Sequence, residues 1–253
     1  MNTKPDNTTK AAGTQQNDTQ ASGAVKRIFD EISPTYDRLN HILSLNTDKI
    51  WRKKTVAMIK KLPDEPFDAL DLCAGTFDLS LEIIKQFPNA TVNAADFSKK
   101  MLEAGHHKIE NYFKAGKIKP ILCDCLDLPF NDNSIDLITC AFGMRNLQDL
   151  EQGMTEVHRV LKPRGQFIVL DFFRPSNNGG VLFHQTYAKH IVPFVGKLIS
   201  GHDVAYRYLK DSIQGFLSTS QFKELLCQYN FIDMIHKDFL MSISSVVSAD
   251  KKG

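Results

Sequence analysis

No stretch of this chain approaches the roughly 20 consecutive apolar residues that a membrane-spanning helix needs. Its beginning lacks both the apolar core of a secretory signal and the arginines of a mitochondrial transit sequence. The expected location is therefore the cytoplasm, with peripheral contact at the inner membrane left open. Charge of one sign is scarce too: 31 Lys and Arg oppose 29 Asp and Glu, a formal net charge of +2. The basic residues are spread along the chain, which disfavours nucleic acid as a partner and favours small molecules. The five cysteines, Cys73, Cys123, Cys125, Cys140 and Cys227, contain no CxxC pair. Four fall in or beside apolar runs and read as reduced core thiols. Cys123 and Cys125 are alternate residues of a strand and point to opposite faces, so no metal site is expected. Met1 to Ser22 has no apolar run and is expected to be a disordered tail. Residues 23–253 are read as a single domain, because 42% hydrophobic content over 253 residues suits one α/β core.

What is present is organised around Asp68 to Ile84, DALDLCAGTFDLSLEII. Ala69, Leu70, Leu72 and Cys73 suit a strand buried on both faces, and Leu79, Leu81, Ile83 and Ile84 share a buried side only if the chain has turned helical. A strand, a tight loop at Ala74-Gly75-Thr76 and a helix place a ligand where the strand ends. The dinucleotide fingerprint needs three spaced glycines, and Gly75 is the one glycine here, so NAD and FAD are disfavoured. Asp71, Gly75 and Thr76 suit a ligand without phosphates.

Further strands are predicted over Asn89 to Ala95, Ile118 to Cys123, Ile135 to Phe142 and Gln166 to Phe173, with a closing hairpin over Phe231 to Ala249. Helices are predicted from Ser98, a capping residue, to about Ala115, over Glu151 to Leu161, and over Gln221 to Tyr229. Asp96 stands about 20 residues beyond the first turn, where a carboxylate accepts both protons of a ribose diol. Residues 23–62 read as a helical cap, with one helix ended by Ser33-Pro34, a second starting near Thr35 and a third over Thr47 to Leu62. Residues 178–216 read as an α-helical insertion on the substrate side, rich in aromatics and histidine from Phe183 to Tyr208.

Several segments then carry a resemblance. Leu70 to Leu79 resembles motif I of S-adenosylmethionine (SAM) dependent methyltransferases. Tyr36-Asp37-x-Leu39-Asn40-x-x-Leu43-Ser44 followed by Trp51, Phe142-Gly143-x-Arg145-Asn146, Arg159-Val160-Leu161-Lys162-Pro163 with Gly165, and Tyr206-Arg207-Tyr208-Leu209 are similar to the ubiquinone/menaquinone biosynthesis C-methyltransferases. The departures are Leu39 for Met, Asp48 for His, Ala141 for Ser, Arg164 for Gly, Asp171 for Glu and Phe173 for Ser, and the paired glycines near Met241-Ser242 are missing.

The resemblance implies a Rossmann-like class I methyltransferase sheet with the cap and insertion named above. It implies cofactor contacts from Asp71, Gly75, Thr76, Asp96, Phe97, Asp124, Cys125 and Ala141, with Asp124 receiving an adenine amino group. It implies a polyprenylated quinol as substrate, demethylmenaquinol preferred over 2-methoxy-6-polyprenyl-benzoquinol, and leaves a homodimer open. Methylation of a ring carbon needs a phenolate positioned and stabilised. Arg145 with Asn146 beside it is the expected stabilising pair, and Tyr36 and Asp37 are candidate orienting or proton-accepting groups, with His41 better read as structural. Two rivals remain at this point: a methyltransferase acting on another small molecule, and a non-catalytic scaffold of the same fold, which Phe77, Ala141 and Asp48 keep open.

Overall fold

The computed structural model describes residues 23, 25–175, 203–240 and 243–253; most of the predicted insertion, including Gly180 to Ser200, lies outside them. Among the described residues seven strands form one sheet in the order β3-β2-β1-β4-β5-β7-β6. β1 (Asp68–Leu72) is central because the chain makes it apolar on both sides. Ala69 packs into one core layer with Ile83, Val92 and Ile109, while Leu70 and Leu72 pack into the other with Ile138, Met154 and Val157. This is the period of two that a strand imposes, with each fully buried aliphatic side chain contributing about 1.5–3 kcal/mol.

β1 pairs in parallel with β2 (Thr91–Asp96) on one side and with β4 (Ile135–Ala141) on the other. β3 (Ile118–Leu122) extends the sheet beyond β2, and β5 (Leu161–Asp171) extends it beyond β4. The strand order thus reverses between β1 and β4, which opens a crevice at their carboxyl ends. β7 (Ser244–Lys251) runs antiparallel to β5 and to β6 (Phe231–Phe239), closing the sheet as a hairpin.

The helices start where the sequence offers caps. Ser98 accepts from the Met101 amide at the head of α5 (Lys99–Lys114), and Asp149 accepts from the Gln152 amide at the head of α6 (Leu150–Val160). α4 (Asp78–Gln86) follows the central loop. α7 (Asp203–Gly215) precedes α8 (Thr219–Gln228), which Ser218 and Gln221 hold in a reciprocal capping box.

The cap consists of α1 (residues 25–32), α2 (Tyr36–Leu43) and α3 (Thr47–Val56). α3 ends six residues before the predicted Leu62. Gln166 of β5 explains this: its side chain accepts from the Lys60 amide at 3.0 Å and donates to the Met58 carbonyl at 2.9 Å, taking over backbone groups that a longer helix would use. Trp51 of α3 stacks on Phe239 at 6.4 Å and meets Phe172 edge-on at 6.3 Å, so aromatic contacts fasten the cap over the carboxyl ends of the strands. Among the described residues no helix is long and apolar enough to cross a membrane.

The turn between α6 and the main run of β5 contains Arg164 at φ +62°. A side chain in this left-handed region costs about 1–2 kcal/mol, whereas glycine there would give back about 0.4–1 kcal/mol through the freer unfolded chain. Arg164→Gly is therefore expected to stabilise the protein by up to about 1 kcal/mol, read as a higher urea midpoint at unchanged slope. A lower midpoint would mean that the packing of Arg164 against Gly253 outweighs the strain.

Candidate active site

The loop after β1 is bent by residues in the left-handed region, Cys73 at φ +54°, Gly75 at φ +55° and Phe77 at φ +70°. Gly75 suits this geometry, and its amide donates to Asp96 Oδ2 at 2.8 Å. Phe77 does not suit it, but its ring is fully buried in the core, where burial offsets the strain. Gly143 after β4 permits the closest approach of the two strand ends, since a Cβ there would meet Cys73 Sγ at 2.7 Å.

The predicted cofactor residues gather on this loop and the neighbouring strand ends. Asp96 is 4% exposed, and burial pushes its carboxyl up to about 6 even though the Ser98 and Gly75 amides both donate to it. Asp71 is likewise buried and pushed up to about 6 by burial; the Ser80 and Thr139 hydroxyls hold it, so it braces the loop from below. Asp124 is exposed and accepts from the Leu126 amide. Phe97 lies edge-on to Phe29 of α1 at 6.3 Å. Ala141 lines a small cavity at the loop together with Tyr36, Arg52, Gly75, Thr76 and Phe142. Cys125 is buried with its sulfur 3.6 Å from that of Cys73, and the contact with Cys73 and burial push its thiol well up. All five cysteines are free, and Cys227 is exposed on α8 rather than in the core.

Beside the loop lies a second cavity of about 100 Å³, walled mainly by apolar groups of the cap and of the β4 and β5 ends, among them Tyr36, Trp51, Phe142, Phe172 and Tyr208. Arg145 lines it as well. One guanidinium nitrogen donates to the Phe142 carbonyl at 2.7 Å and to Asp171 Oδ1, and Asp171 Oδ2 accepts from the Arg145 amide at 3.2 Å. The guanidinium lies 5.2 Å from the Phe172 ring centre, and its Nε is buried without a hydrogen-bond partner. Asn146 donates to the Phe142 carbonyl and accepts from the Tyr208 hydroxyl at 2.9 Å. Burial raises the pKa of Tyr36 and of Tyr208.

Of the residues predicted for chemistry, Tyr36 and Arg145 line the apolar cavity, and Asn146 reaches it through Tyr208. Asp37 faces elsewhere. Its carboxylate accepts from the Thr76 hydroxyl and pairs with Lys108 at 2.6 Å, clipping the cap to the loop after β1. His41 Nδ1 donates to Asp48 Oδ2, 2.9 Å away. Asp48 is 2% exposed and is also held by Ser44 and Arg52. Burial raises its pKa, but the Ser44 hydrogen bond and the Arg52 charge outweigh it and leave the group below the usual range. His41, Asp48 and Asp78 come close enough together to suggest metal ligands, yet the Arg52 guanidinium already bridges the two carboxylates. Sequence reasoning missed Arg52 and Phe172. The spacing of Asp48 and Arg52, four apart on one helix, is the signal that would have found the first.

Comparison with known proteins places these features. The model of the ubiE/COQ5 methyltransferase family matches residues 14–250. The chain is 38% identical over 237 residues to a ubiquinone/menaquinone biosynthesis C-methyltransferase of Geotalea daltonii, covering 92% of this chain and 98% of the relative. It is 34% identical over 223 residues to a demethylmenaquinone methyltransferase of Porphyromonas gingivalis, covering 88% and 90%. A SAM-dependent methyltransferase structure from Thermotoga maritima superposes with a TM-score of 0.63 at 15% identity, covering 89% of this chain and 99% of the other, a likeness that speaks for the fold. The chain belongs to the ubiE/COQ5 methyltransferase family.

Proposed function

We propose that the protein transfers the methyl group of SAM to a ring carbon of a polyprenylated quinol, with demethylmenaquinol preferred. One observation carries this reading: Tyr36 and Phe142 line both the loop cavity and the apolar cavity, so a ring in the second would lie against a methyl donor in the first. The loop residues fit SAM. Gly75 turns where a side chain would meet Met101 at 3.2 Å, and Asp96 offers carboxylate oxygens beside it for a ribose diol. Thr76, Phe97, Asp124, Cys125 and Ala141 complete the set, with Asp71 behind the loop.

When bound, SAM supplies an electrophilic methyl group. The chain's part is to hold the quinol ring in line with it and to stabilise the phenolate that makes the ring carbon nucleophilic. Arg145 suits the second task, because its Nε is a buried donor without a partner and its charge lies beside the cavity. A guanidinium carries donors and no acceptor, so Arg145 cannot take the proton itself, and the phenol proton passes to a water ordered by it. Asp171 keeps the guanidinium in place, and Asn146 with Tyr208 closes the neighbouring wall. The polyprenyl tail is a membrane-resident group, so the same reading includes peripheral contact with a membrane surface.

Purified protein given demethylmenaquinol and 2-methoxy-6-polyprenyl-benzoquinol in competition, with labelled SAM, is expected to label the naphthoquinol product more. Label in neither product removes the proposal. The buried state of Asp96 adds a pH dependence. Ribose hydroxyls donate to the ionised carboxylate, whose pKa lies at about 6. Affinity for S-adenosylhomocysteine should therefore be full above pH 7 and fall as the pH drops through 6, by about tenfold per unit at the limit. Calorimetry between pH 5 and 8 checks this, and Asp96→Asn should flatten the profile. A profile equally steep in that variant would assign the proton to another group.

A further inference from the structure

A methyl donor built on methionine brings an α-carboxylate into the loop cavity, and a buried anion needs a cation or several donors. Among the described residues lining that cavity, Arg52 is the one cation, facing Asp71 and Asp78 with neutral groups around them. It sits on α3, 6% exposed, with its guanidinium carbon 5.9 Å from the centre of the Phe142 ring that both cavities share. One terminal nitrogen donates to Asp48. The other stands 3.3 Å from Asp78 Oδ2, while Asp78 Oδ1 takes a shorter contact from Lys108 at 2.7 Å. Asp78 thus has a better partner than Arg52, and each terminal nitrogen of a guanidinium carries a second hydrogen. Asp48, in turn, is fixed from the cap side by Ser44 at 2.7 Å and His41 at 2.9 Å.

We propose that Arg52 anchors the α-carboxylate of the methionine moiety of SAM, and that Asp48 is the positioning residue that sets the plane of its guanidinium. This rests on the reading that SAM occupies the loop. The planar fork can accept a carboxylate on the edge facing the cavity while Asp48 holds the edge facing the cap. The arrangement ties cofactor binding to the cap, because the same α3 that carries Arg52 lines the quinol cavity with Asp48 and Trp51. A cap seated by the cofactor would order the second cavity before the quinol enters.

The test is calorimetry on the full chain with two probes, SAM and decarboxylated SAM, which keeps the sulfonium and the ammonium and lacks the carboxylate. The wild-type protein is expected to bind SAM about 10–100-fold more tightly than the decarboxylated probe, the range for a hydrogen bond to a charged group. Arg52→Met should weaken SAM by that factor and leave the decarboxylated probe unchanged, and Arg52→Lys should recover part of the loss. Unchanged binding of the decarboxylated probe also shows that the variant is folded. Should Arg52→Met leave Asp48 as an unpaired buried charge that prevents folding, Asp48→Asn combined with Arg52→Gln removes both charges and is read in the same way. Equal weakening of both probes makes Arg52 a structural residue and overturns the proposal, as does undiminished SAM affinity in Arg52→Met. A wild-type protein that binds neither probe removes the SAM reading itself, an outcome distinct from the other two.

Discussion

Arg145→Lys is expected to lower turnover by about 10²–10³ while leaving SAM affinity nearly unchanged, the size seen when one transition-state donor is lost. The reason lies in how the guanidinium is held. Phe142 and Asp171 occupy one terminal nitrogen, the Phe172 ring lies against the planar face, and Nε remains without a partner. A lysine can keep the ion pair with Asp171, but its point-charge ammonium lacks the planar fork that presents further nitrogens toward the cavity. The loss should fall on kcat rather than on the dissociation constant of SAM, because Arg145 lines the apolar cavity and does not line the loop cavity. Rapid quench with saturating SAM separates these quantities. A normal rate at saturating SAM combined with collapsed affinity would turn Arg145 into a cofactor ligand.

Asp96→Ala should raise the dissociation constant of SAM by roughly 10–100-fold, since one charge-assisted hydrogen bond contributes about 1.5–3 kcal/mol. The side chain also accepts from the Gly75 and Ser98 amides, at 2.8 Å each, so its removal loosens the turn that the methionine part must follow. Asp96→Asn separates the two effects: it retains an acceptor for one amide and loses the charge. If the contact with ribose dominates, both variants weaken SAM similarly; if loop order dominates, the asparagine variant stays close to wild type. Unchanged affinity in the alanine variant would remove Asp96 from the site.

Much of this was legible in the sequence because the physics involved is local. The alternation in Ala69 to Leu72, the capping serine at 98 and the punctuation at Ser33-Pro34 report on neighbours a few residues away, and β1, α5 and the break after α1 stand where those signals put them. The early end of α3 was not legible, since it depends on Gln166, more than a hundred residues along the chain. Asp48 read as a lost histidine. Its actual surroundings, His41, Ser44 and Arg52, emerge only when α2 and α3 fold back on each other. Asp37 neighbours Tyr36 in the sequence and shares its expected role there. Adjacent residues of a helix point about 100° apart, and one step along α2 moves the side chain from the apolar cavity to Thr76 and Lys108. Arg164 stands in the sequence as a departure from glycine, and only the folded turn shows that its φ is positive.

The central claim is that the methyl group crosses the wall formed by Tyr36 and Phe142 and lands on a ring carbon. Incubation of the full chain with demethylmenaquinol and SAM carrying a ¹³C-methyl group, followed by NMR of the extracted product, addresses it directly. The predicted result is one labelled carbon resonance in the range of an aryl methyl group, appearing far more slowly in Arg145→Lys; a labelled methoxy resonance, or unlabelled quinol recovered with SAM intact, would contradict the account.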